Sequence, residues 1–323
     1  PTEQDGYTVT PVTFDFEQGN SKTVDIPAKN GSQQNSIINR TASVDTADKN
    51  SPDFVENSNG LWVKRITGYV AEVMTLEVTL PGNKCATSAA TAPNGKIYVF
   101  GGENSTGVAY SDDIVEFDPV TQSVTTLEAT LPSARSKTSA VTAPDGKIYV
   151  FGGYDGGDYF GKFVEFDPVT KSVAEFNLPS ARSATSAAIA PNGKIYVFGG
   201  ENGRVSNNIL DDIVEFDPVT RDITTLRATL PSARSATSAA TAPNGKIYVF
   251  GGEDGRDGTS PMDGIVEFDP VTKRVTTLEA NLPHLVSFTS AATAPNGKIY
   301  VFDGGYRDIV EFDPVTKRVT TLE

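Results

Sequence analysis

Short hydrophobic runs alternate with glycine- and proline-containing turns over residues 80–323, and one block of this kind recurs five times. Each copy reads approximately TAPNGKIYVFGG, then a variable loop, then IVEFDPVT and VTTLE. The IYVF run begins at Ile97, Ile148, Ile195, Ile247 and Ile299, with spacings of 51, 47, 52 and 52 residues. Self-similarity at a period of this length is typical of propellers built from β-sheet blades.

Each copy predicts four antiparallel strands. In the third copy we expect strands at Ser186 to Ala190, Ile195 to Phe198, Ile213 to Phe216 and Ile223 to Leu226. An Asn-Gly pair supplies the tight hairpin after the first strand, and an Asp-Pro pair turns the chain after the third. No helical periodicity occurs in this region, so the sequence predicts an all-β fold.

A Gly-Gly pair after a hydrophobic strand, followed by an aromatic-Asp-Pro turn, resembles the kelch repeat. The resemblance covers about three-quarters of the chain and implies a kelch-type β-propeller. Kelch repeats usually carry a tryptophan on the last strand, where this chain has Val124, Val173, Ile223, Val275 and Val319. The third-strand aromatic is kept as Phe117, Phe166, Phe216, Phe268 and Phe312. We expect the smaller β-branched residues to pack between blades instead.

The N-terminal region does not show the repeat. We predict a polar β segment over residues 1–58, with strands at Tyr7 to Phe16 and Lys22 to Ile26 around one turn, and a kelch propeller over 59–323. Residues 59–81 resemble blade material. Two architectures stay open: a divergent N-terminal blade that makes six, which the six- or seven-bladed habit of kelch rings favours, or five blades with an N-terminal β arm.

The net charge of −14 argues against nucleic acid and anionic membranes as partners, because like charges repel. The hydrophobic runs are far shorter than the roughly 20 residues that span a bilayer. One cysteine excludes an intramolecular disulfide. Since the chain opens at Pro1 and stops on an outer strand, we expect a missing leading segment or a shortened sequence. The compartment is not identified; our expectation is a protein outside the cytoplasm or within an assembled particle.

The strand order places two kinds of connection on opposite sides of the propeller. One side carries the near-identical PNGK and DPVT turns, and we call it the turn face. The other side carries loops of different length and composition, and we call it the variable-loop face. Binding tends to reside in variable loops on a rigid scaffold, so we expect the variable-loop face to hold the ligand.

A basic residue precedes most of the inner strands on the variable-loop face: Lys84, Arg135, Arg182 and Arg234. The fifth copy has Val286 at this position. Related kelch propellers place arginines near the central pocket, where some hold acidic peptides, so the resemblance implies that these four residues contact a partner. The alternative is structural: each cation pairs with the acidic loops beside it or bonds the carbonyls at the blade end.

Other candidate chemistry is weaker. The loops carry Asp112, Asp113, Asp155, Asp158, Asp211, Asp212, Asp254, Asp257 and Asp263. Such carboxylates could bind calcium, but no loop has an established calcium pattern, so a solvated acidic rim is favoured. His284, placed in a loop, and Cys85 are the only residues of their kinds and cannot build a histidine-rich metal site. We therefore predict no metal, no cofactor and no catalytic residue.

These observations favour a non-enzymatic binding or scaffold propeller, a subunit of a larger assembly that holds a protein partner on the variable-loop face. Residues 1–60 would contribute to homo- or hetero-assembly. The alternative, suggested by kelch-type enzymes such as a sialic acid mutarotase, is a carbohydrate-binding or sugar-isomerising propeller that uses carboxylate and arginine chemistry. Asn30, Asn39 and Asn104 match the N-glycosylation pattern and could carry glycans.

Overall fold

The computed structural model describes residues 78–203, 208–254, 260–302 and 308–322, together with six short strands nearer the N terminus. The chain divides into two compact units, Pro1–Thr75 and Leu76–Glu323. All regular secondary structure in the described ranges is β-strand, as the sequence predicts. In this part of the chain no helix could cross a membrane.

The strands described in the N-terminal unit pair in twos. These pairs are β1 (Thr2–Gln4) with β2 (Tyr7–Val9), β3 (Lys22–Val24) with β4 (Arg40–Ala42), and β5 (Phe54–Glu56) with β6 (Trp62–Lys64). The prediction that Tyr7 to Phe16 and Lys22 to Ile26 flank one turn is therefore wrong in its pairing. Asp5-Gly6, a favoured two-residue hairpin sequence, separates β1 from β2 and explains the difference.

Five four-stranded antiparallel sheets follow, one for each repeat. The first contains β7 (Ser88–Thr91), β8 (Ile97–Phe100), β9 (Asp113–Asp118) and β10 (Ser123–Thr130). The second contains β11 (Ser139–Thr142), β12 (Ile148–Phe151), β13 (Lys162–Phe166) and β14 (Val173–Asn177). The third contains β15 (Ser186–Ile189), β16 (Ile195–Phe198), β17 (Asp212–Phe216) and β18 (Ile223–Thr229).

The fourth and fifth sheets have the same plan. The fourth contains β19 (Ser238–Thr241), β20 (Ile247–Phe250), β21 (Met262–Asp269) and β22 (Arg274–Val286). The fifth contains β23 (Ser290–Thr293), β24 (Ile299–Phe302), β25 (Ile309–Phe312) and β26 (Val319–Leu322). Strands are hydrogen-bonded in chain order within each sheet, so each repeat forms one blade.

The turns have the chemistry that the sequence predicts. In the third blade Gly193 has a φ of 80°, which a hairpin turn requires and glycine adopts without strain. Asp217 Oδ1 then accepts hydrogen bonds from the backbone N–H groups of Val219 and Thr220, at 2.9 and 3.3 Å, and fixes the outer turn. The outer strand continues to Thr229, beyond the predicted end at Leu226, because a register shift lets Thr229 pair with Asp212.

Hydrophobic cores form between consecutive blades. Between the first two blades, the Phe166 ring lies 5.1 Å from the Tyr98 ring and 5.7 Å from the Phe100 ring, measured between centroids. Val173, at the position of the usual kelch tryptophan, packs against this cluster. Ile223, Val275 and Val319 do the same in the next three cores. The expectation that β-branched residues pack between blades is confirmed for these four positions.

A chain of backbone hydrogen bonds runs around the axis, where the inner strands of successive blades are neighbours. The N–H of one residue per blade donates to the carbonyl of its counterpart in the preceding blade, in the order Phe288 to Ala236, Ala184, Lys137 and Ala86. All five residues have positive φ values, between 48° and 56°. The five sheets thus form a ring, a five-bladed β-propeller of kelch type. The predicted sixth blade and the boundary at residue 58 concern residues that lie mostly outside the described ones.

Candidate functional site

The turn face consists of repeated, internally satisfied ion networks. Glu116 accepts hydrogen bonds from Lys96 and Tyr98 of its own blade and from Lys171 of the next blade. Burial alone would raise the pKa of Glu116, but these donors lower it to about 2. Glu215 has the same environment, with Lys194, Tyr196 and Lys273. These repeated glutamates join neighbouring blades, so their role is structural.

The four predicted site residues begin the inner segments of the first four blades, on the variable-loop face. Arg135 and Arg182 are fully buried, Arg234 is 4% exposed, and the Lys84 side chain is 11% exposed. The arginines donate to the carbonyls of Gly152, Gly199 and Gly251 in their own blades, at 3.3, 3.1 and 3.3 Å. These are the blade-end carbonyls that the structural alternative names. Direct contact of the four residues with a partner stays a prediction.

Three of the four cations also have a carboxylate partner. Lys84 pairs with Asp113. Arg182 binds Asp212 through both ends of its guanidinium, with Nη1–Oδ1 and Nη2–Oδ2 distances of 3.0 and 2.8 Å. The second blade has Lys162 where the first, third and fifth blades have aspartate. Its Arg135 instead binds Glu175 of β14 at 3.2 Å, so the missing acid is replaced from the neighbouring strand.

The fourth and fifth blades break this pattern in opposite ways. Gly264 stands at the aspartate position of the fourth blade, and no carboxylate pairs with Arg234 among the described residues. In the fifth blade Val286 replaces the cation, and Asp308 binds His284 Nε2 at 3.0 Å instead. The placement of His284 in a loop is wrong: the residue lies within β22, which extends through it to reach Val286.

Sequence analysis did not single out four charged side chains beside the inner segments of neighbouring blades, where Glu103 accepts a hydrogen bond from Ser136 Oγ at 2.8 Å and Glu201 accepts one from Ser183 Oγ at 3.1 Å. Glu103, Lys137, Glu201 and Glu253 form this group, which we call the axial cluster. Lys137 Nζ lies 3.8 Å from Glu201 Oε1. Burial and the charge of Glu201 raise the pKa of Glu253, while Lys137 opposes the increase. A sequence signal was available, because all three glutamates directly follow a Gly-Gly pair.

Aromatic rings lie beside the axial cluster in the loops of the first two blades. The Tyr154 ring is 5.9 Å from the Tyr110 ring and 4.8 Å from the Tyr159 ring. Lys137 Nζ lies 5.8 Å above the Tyr154 ring. These half-buried tyrosines give the variable-loop face both apolar surface and hydroxyl groups.

The remaining candidates have local roles. Cys85 is exposed and its backbone pairs with that of Glu103. Asp155 Oδ1 accepts hydrogen bonds from the N–H groups of Gly157 and Asp158, which orders its loop. Over the described ranges, no group of three or more histidine, cysteine, aspartate or glutamate side chains could hold a metal ion. Asn104 Oδ1 likewise caps its own loop, at 3.1 Å from the N–H of Val108.

Comparison with known proteins gives two matches to family models. The model described as the KLHDC2/KLHL20/DRC7 Kelch-repeats domain matches residues 47–229, more than half of the chain. The model of the Kelch motif matches residues 234–279.

Two individual proteins are similar over different lengths. An N-acetylneuraminate epimerase of Pasteurella multocida (strain Pm70) is 40% identical over 76 residues, which are 23% of this chain and 20% of that protein. This chain therefore matches about a fifth of the relative's length. A solved structure reported as "Structure of YjhT" superposes with a TM-score of 0.61 at 16% identity, over 74% of this chain and 84% of the other. That likeness concerns the fold alone. Together with the five described blades, the family-model matches show that the chain belongs to the kelch-repeat family.

Proposed function

We propose that this chain is a binding propeller that holds a protein partner on its variable-loop face. Kelch propellers commonly mediate protein interactions, and family membership therefore supports a binding role. The observation that carries the choice of face is the contrast between the two sides. The turn face repeats one satisfied ion network, whereas the variable-loop face brings together the axial cluster and three half-buried tyrosines.

Differences between blades also favour this face. A repeated contact such as Lys171 to Glu116 stabilises the stack of blades and gives no basis for choosing a ligand. The blades do not all carry the same residue at equivalent positions of the variable-loop face: Tyr154 of the second blade stands where the first, third and fourth blades have Glu103, Glu201 and Glu253. A partner could therefore be recognised in one orientation. A contribution of residues 1–60 to assembly stays part of the proposal.

Two matched variants test the proposal. The loop variant is Val108→Lys/Asp158→Lys and the turn variant is Val120→Lys/Asp222→Lys; all four residues are exposed, and both variants change the net charge equally. Proteins captured from native extract by the immobilised wild-type chain are identified by mass spectrometry. We expect the loop variant to lose the captured partner and the turn variant to retain it. Retention by the loop variant with loss by the turn variant would reject the proposed face.

A sugar-directed function is the second candidate, and one observation favours it. The relative that is 40% identical over 76 residues is an N-acetylneuraminate epimerase. We would incubate the chain with N-acetylneuraminate and follow anomer exchange and epimer formation by proton NMR. Acceleration that is abolished by a substitution in the axial cluster, such as Glu253→Gln, would favour this function over the protein-binding one.

A further inference from the structure

Each inner blade packs between two neighbours, and the two sides of its sheet carry different residues of the IYVF strand. The side that contacts the next blade along the chain, which we call the forward side, carries the tyrosine and the phenylalanine. The side that contacts the preceding blade, the rear side, carries the isoleucine and the valine. In the fourth blade these residues are Tyr248 and Phe250, and Ile247 and Val249, and all four are fully buried. Four cores of this kind join the five blades.

The junction between the fifth and first blades, which we call the seam, is different. No core of this kind joins these two blades among the described residues. The chain of backbone hydrogen bonds around the axis also ends at the seam, with Phe288 at one end and Ala86 at the other. On the forward side of the fifth blade, Phe302 and Ile309 are 45% and 40% exposed, whereas their counterparts in the fourth blade are fully buried.

The rear side of the first blade is also incompletely covered. Ile97, Val99 and Phe117 are half-buried, whereas the corresponding residues of the second to fifth blades are buried. The chain therefore carries both halves of one inter-blade core, and neither half is packed as in the other four cores.

The ion network of the turn face changes at the seam as well. In the second to fifth blades, one cation of the outer turn binds the repeated glutamate of the preceding blade: Lys171, Arg221, Lys273 and Lys317. The first blade has Gln122 at this position, with the same positive φ. Glu311 of the fifth blade accepts hydrogen bonds from Lys298 and Tyr300 of its own blade, and no cation of another blade binds it in the described ranges.

We propose that the forward side of the fifth blade binds the rear side of the first blade of a second copy of this chain. A second copy fits because its first blade has the residues that cover a forward side at the four other junctions, so the contact continues an interface that the molecule already uses. Burial of exposed apolar side chains drives the association. Since the contact joins two different surfaces, the copies either close into a small ring or continue as an open chain. This inference goes beyond the proposed function and does not depend on which face holds the ligand.

Sedimentation velocity of the full chain tests the proposal, at about 150 mM salt so that repulsion between copies with a net charge of −14 is screened. We expect the average mass to rise from that of a monomer towards a multiple of it over about 1 to 300 μM chain. Phe302→Asp should weaken association by roughly tenfold or more, because it places a charge in the new core. Val315→Asp is the matched control, since this turn-face valine of the same blade is 83% exposed, and association should stay within about twofold of wild type.

A second set of variants should strengthen the same contact. Gln122→Lys supplies the cation that the other blades have, so it should bind Glu311 of the neighbouring copy and tighten association by about threefold or more. Val120→Lys lies in the same turn and changes the net charge equally, but it should leave association within about twofold of wild type. Adding Glu311→Gln to Gln122→Lys should remove the gain.

Three outcomes would overturn the proposal. The first is a mass that stays monomeric over the whole concentration range. The second is equal weakening by Phe302→Asp and Val315→Asp. The third is a Gln122→Lys chain that stays monomeric while its thermal unfolding midpoint rises, because the first and fifth blades then bind within one copy. Circular dichroism establishes that each variant is folded; if Phe302→Asp is not, the gain with Gln122→Lys and its loss with Glu311→Gln decide.

Discussion

Replacement of Arg182 by alanine should destabilise the propeller strongly. The side chain is fully buried, and it donates to both oxygens of Asp212, to the Gly199 carbonyl at 3.1 Å and to Ser180 Oγ at 2.7 Å. Removing it leaves the Asp212 carboxylate without its counter-ion and a buried backbone carbonyl without this donor.

The magnitude follows from the exposure of the two partners. Breaking a buried ion pair by removing one member costs about 3–5 kcal/mol. The low end applies here because water reaches the Asp212 side chain, which is 21% exposed. A loss of about 3 kcal/mol lowers the unfolding midpoint of a domain of this size by about 6–12 °C.

The assay is thermal and urea unfolding of Arg182→Ala beside Lys84→Ala. Lys84 is bound to Asp113, whose side chain is 36% exposed, so its removal should cost about 1 kcal/mol or less. The double variant Arg182→Met/Asp212→Asn should recover part of the loss, because it leaves no unpaired charge. A midpoint for Arg182→Ala within about 2 °C of wild type, together with lost partner binding, would refute the structural role and favour direct contact.

Two further predictions concern the backbone and pH. Gly152→Ala should lower the free energy of unfolding by about 2 kcal/mol or more, because the φ of Gly152 is +66° and the new Cβ would lie 2.2 Å from the Arg182 carbonyl oxygen. Gly264→Ala is the control and should change the urea midpoint little, because a Cβ at that position meets nothing within 4 Å. Equal urea midpoints for the two variants would contradict the close approach at Gly152. The pKa values of Glu116 and Glu215 are about 2 in the fold against 4.5 as the ordinary value, so their contribution is complete above pH 4.5 and is lost as pH falls toward 2. The urea midpoint of the wild type should decrease from pH 5 to pH 3.5 and again to pH 2.5. The decrease should be smaller in Lys273→Met, because this variant lacks one of the donors to Glu215. An identical pH response in the wild type and Lys273→Met would contradict the assignment of the pH dependence to these ion pairs.

The blades were predictable because each of their determinants is local. Asn-Gly and Asp-Pro turns fix where the strands end, and the IYVF runs alternate between the two inter-blade cores. Packing of Val173 at the usual tryptophan position also followed from its β-branched shape. The pairing of β2 with β1 did not follow from the alternating stretch Tyr7 to Phe16, because alternation predicts a strand and does not identify its partner. The signal for this hairpin is confined to the two residues Asp5-Gly6.

The candidate site was less predictable because its geometry depends on contacts between distant residues. The sequence places Arg182 and Arg234 at equivalent positions, but their environments differ through residues 30 positions away, Asp212 and Gly264. Each arginine is held inside its blade by a bond to the carbonyl of a glycine 17 residues away, such as Gly199 for Arg182, and the repeat pattern alone does not reveal this contact. Comparing the acid position blade by blade identifies Arg234 as the cation that has no carboxylate partner among the described residues.

Site-specific cross-linking tests the central claim most directly. A photoreactive phenylalanine analogue is placed at Val108 on the variable-loop face or at Val219 on the turn face, which are 77% and 89% exposed. Both chains are irradiated in native extract, with excess unmodified chain as competitor. We predict one competed adduct from position 108 and none from position 219. A competed adduct from position 219, with none from position 108, would contradict binding on the variable-loop face.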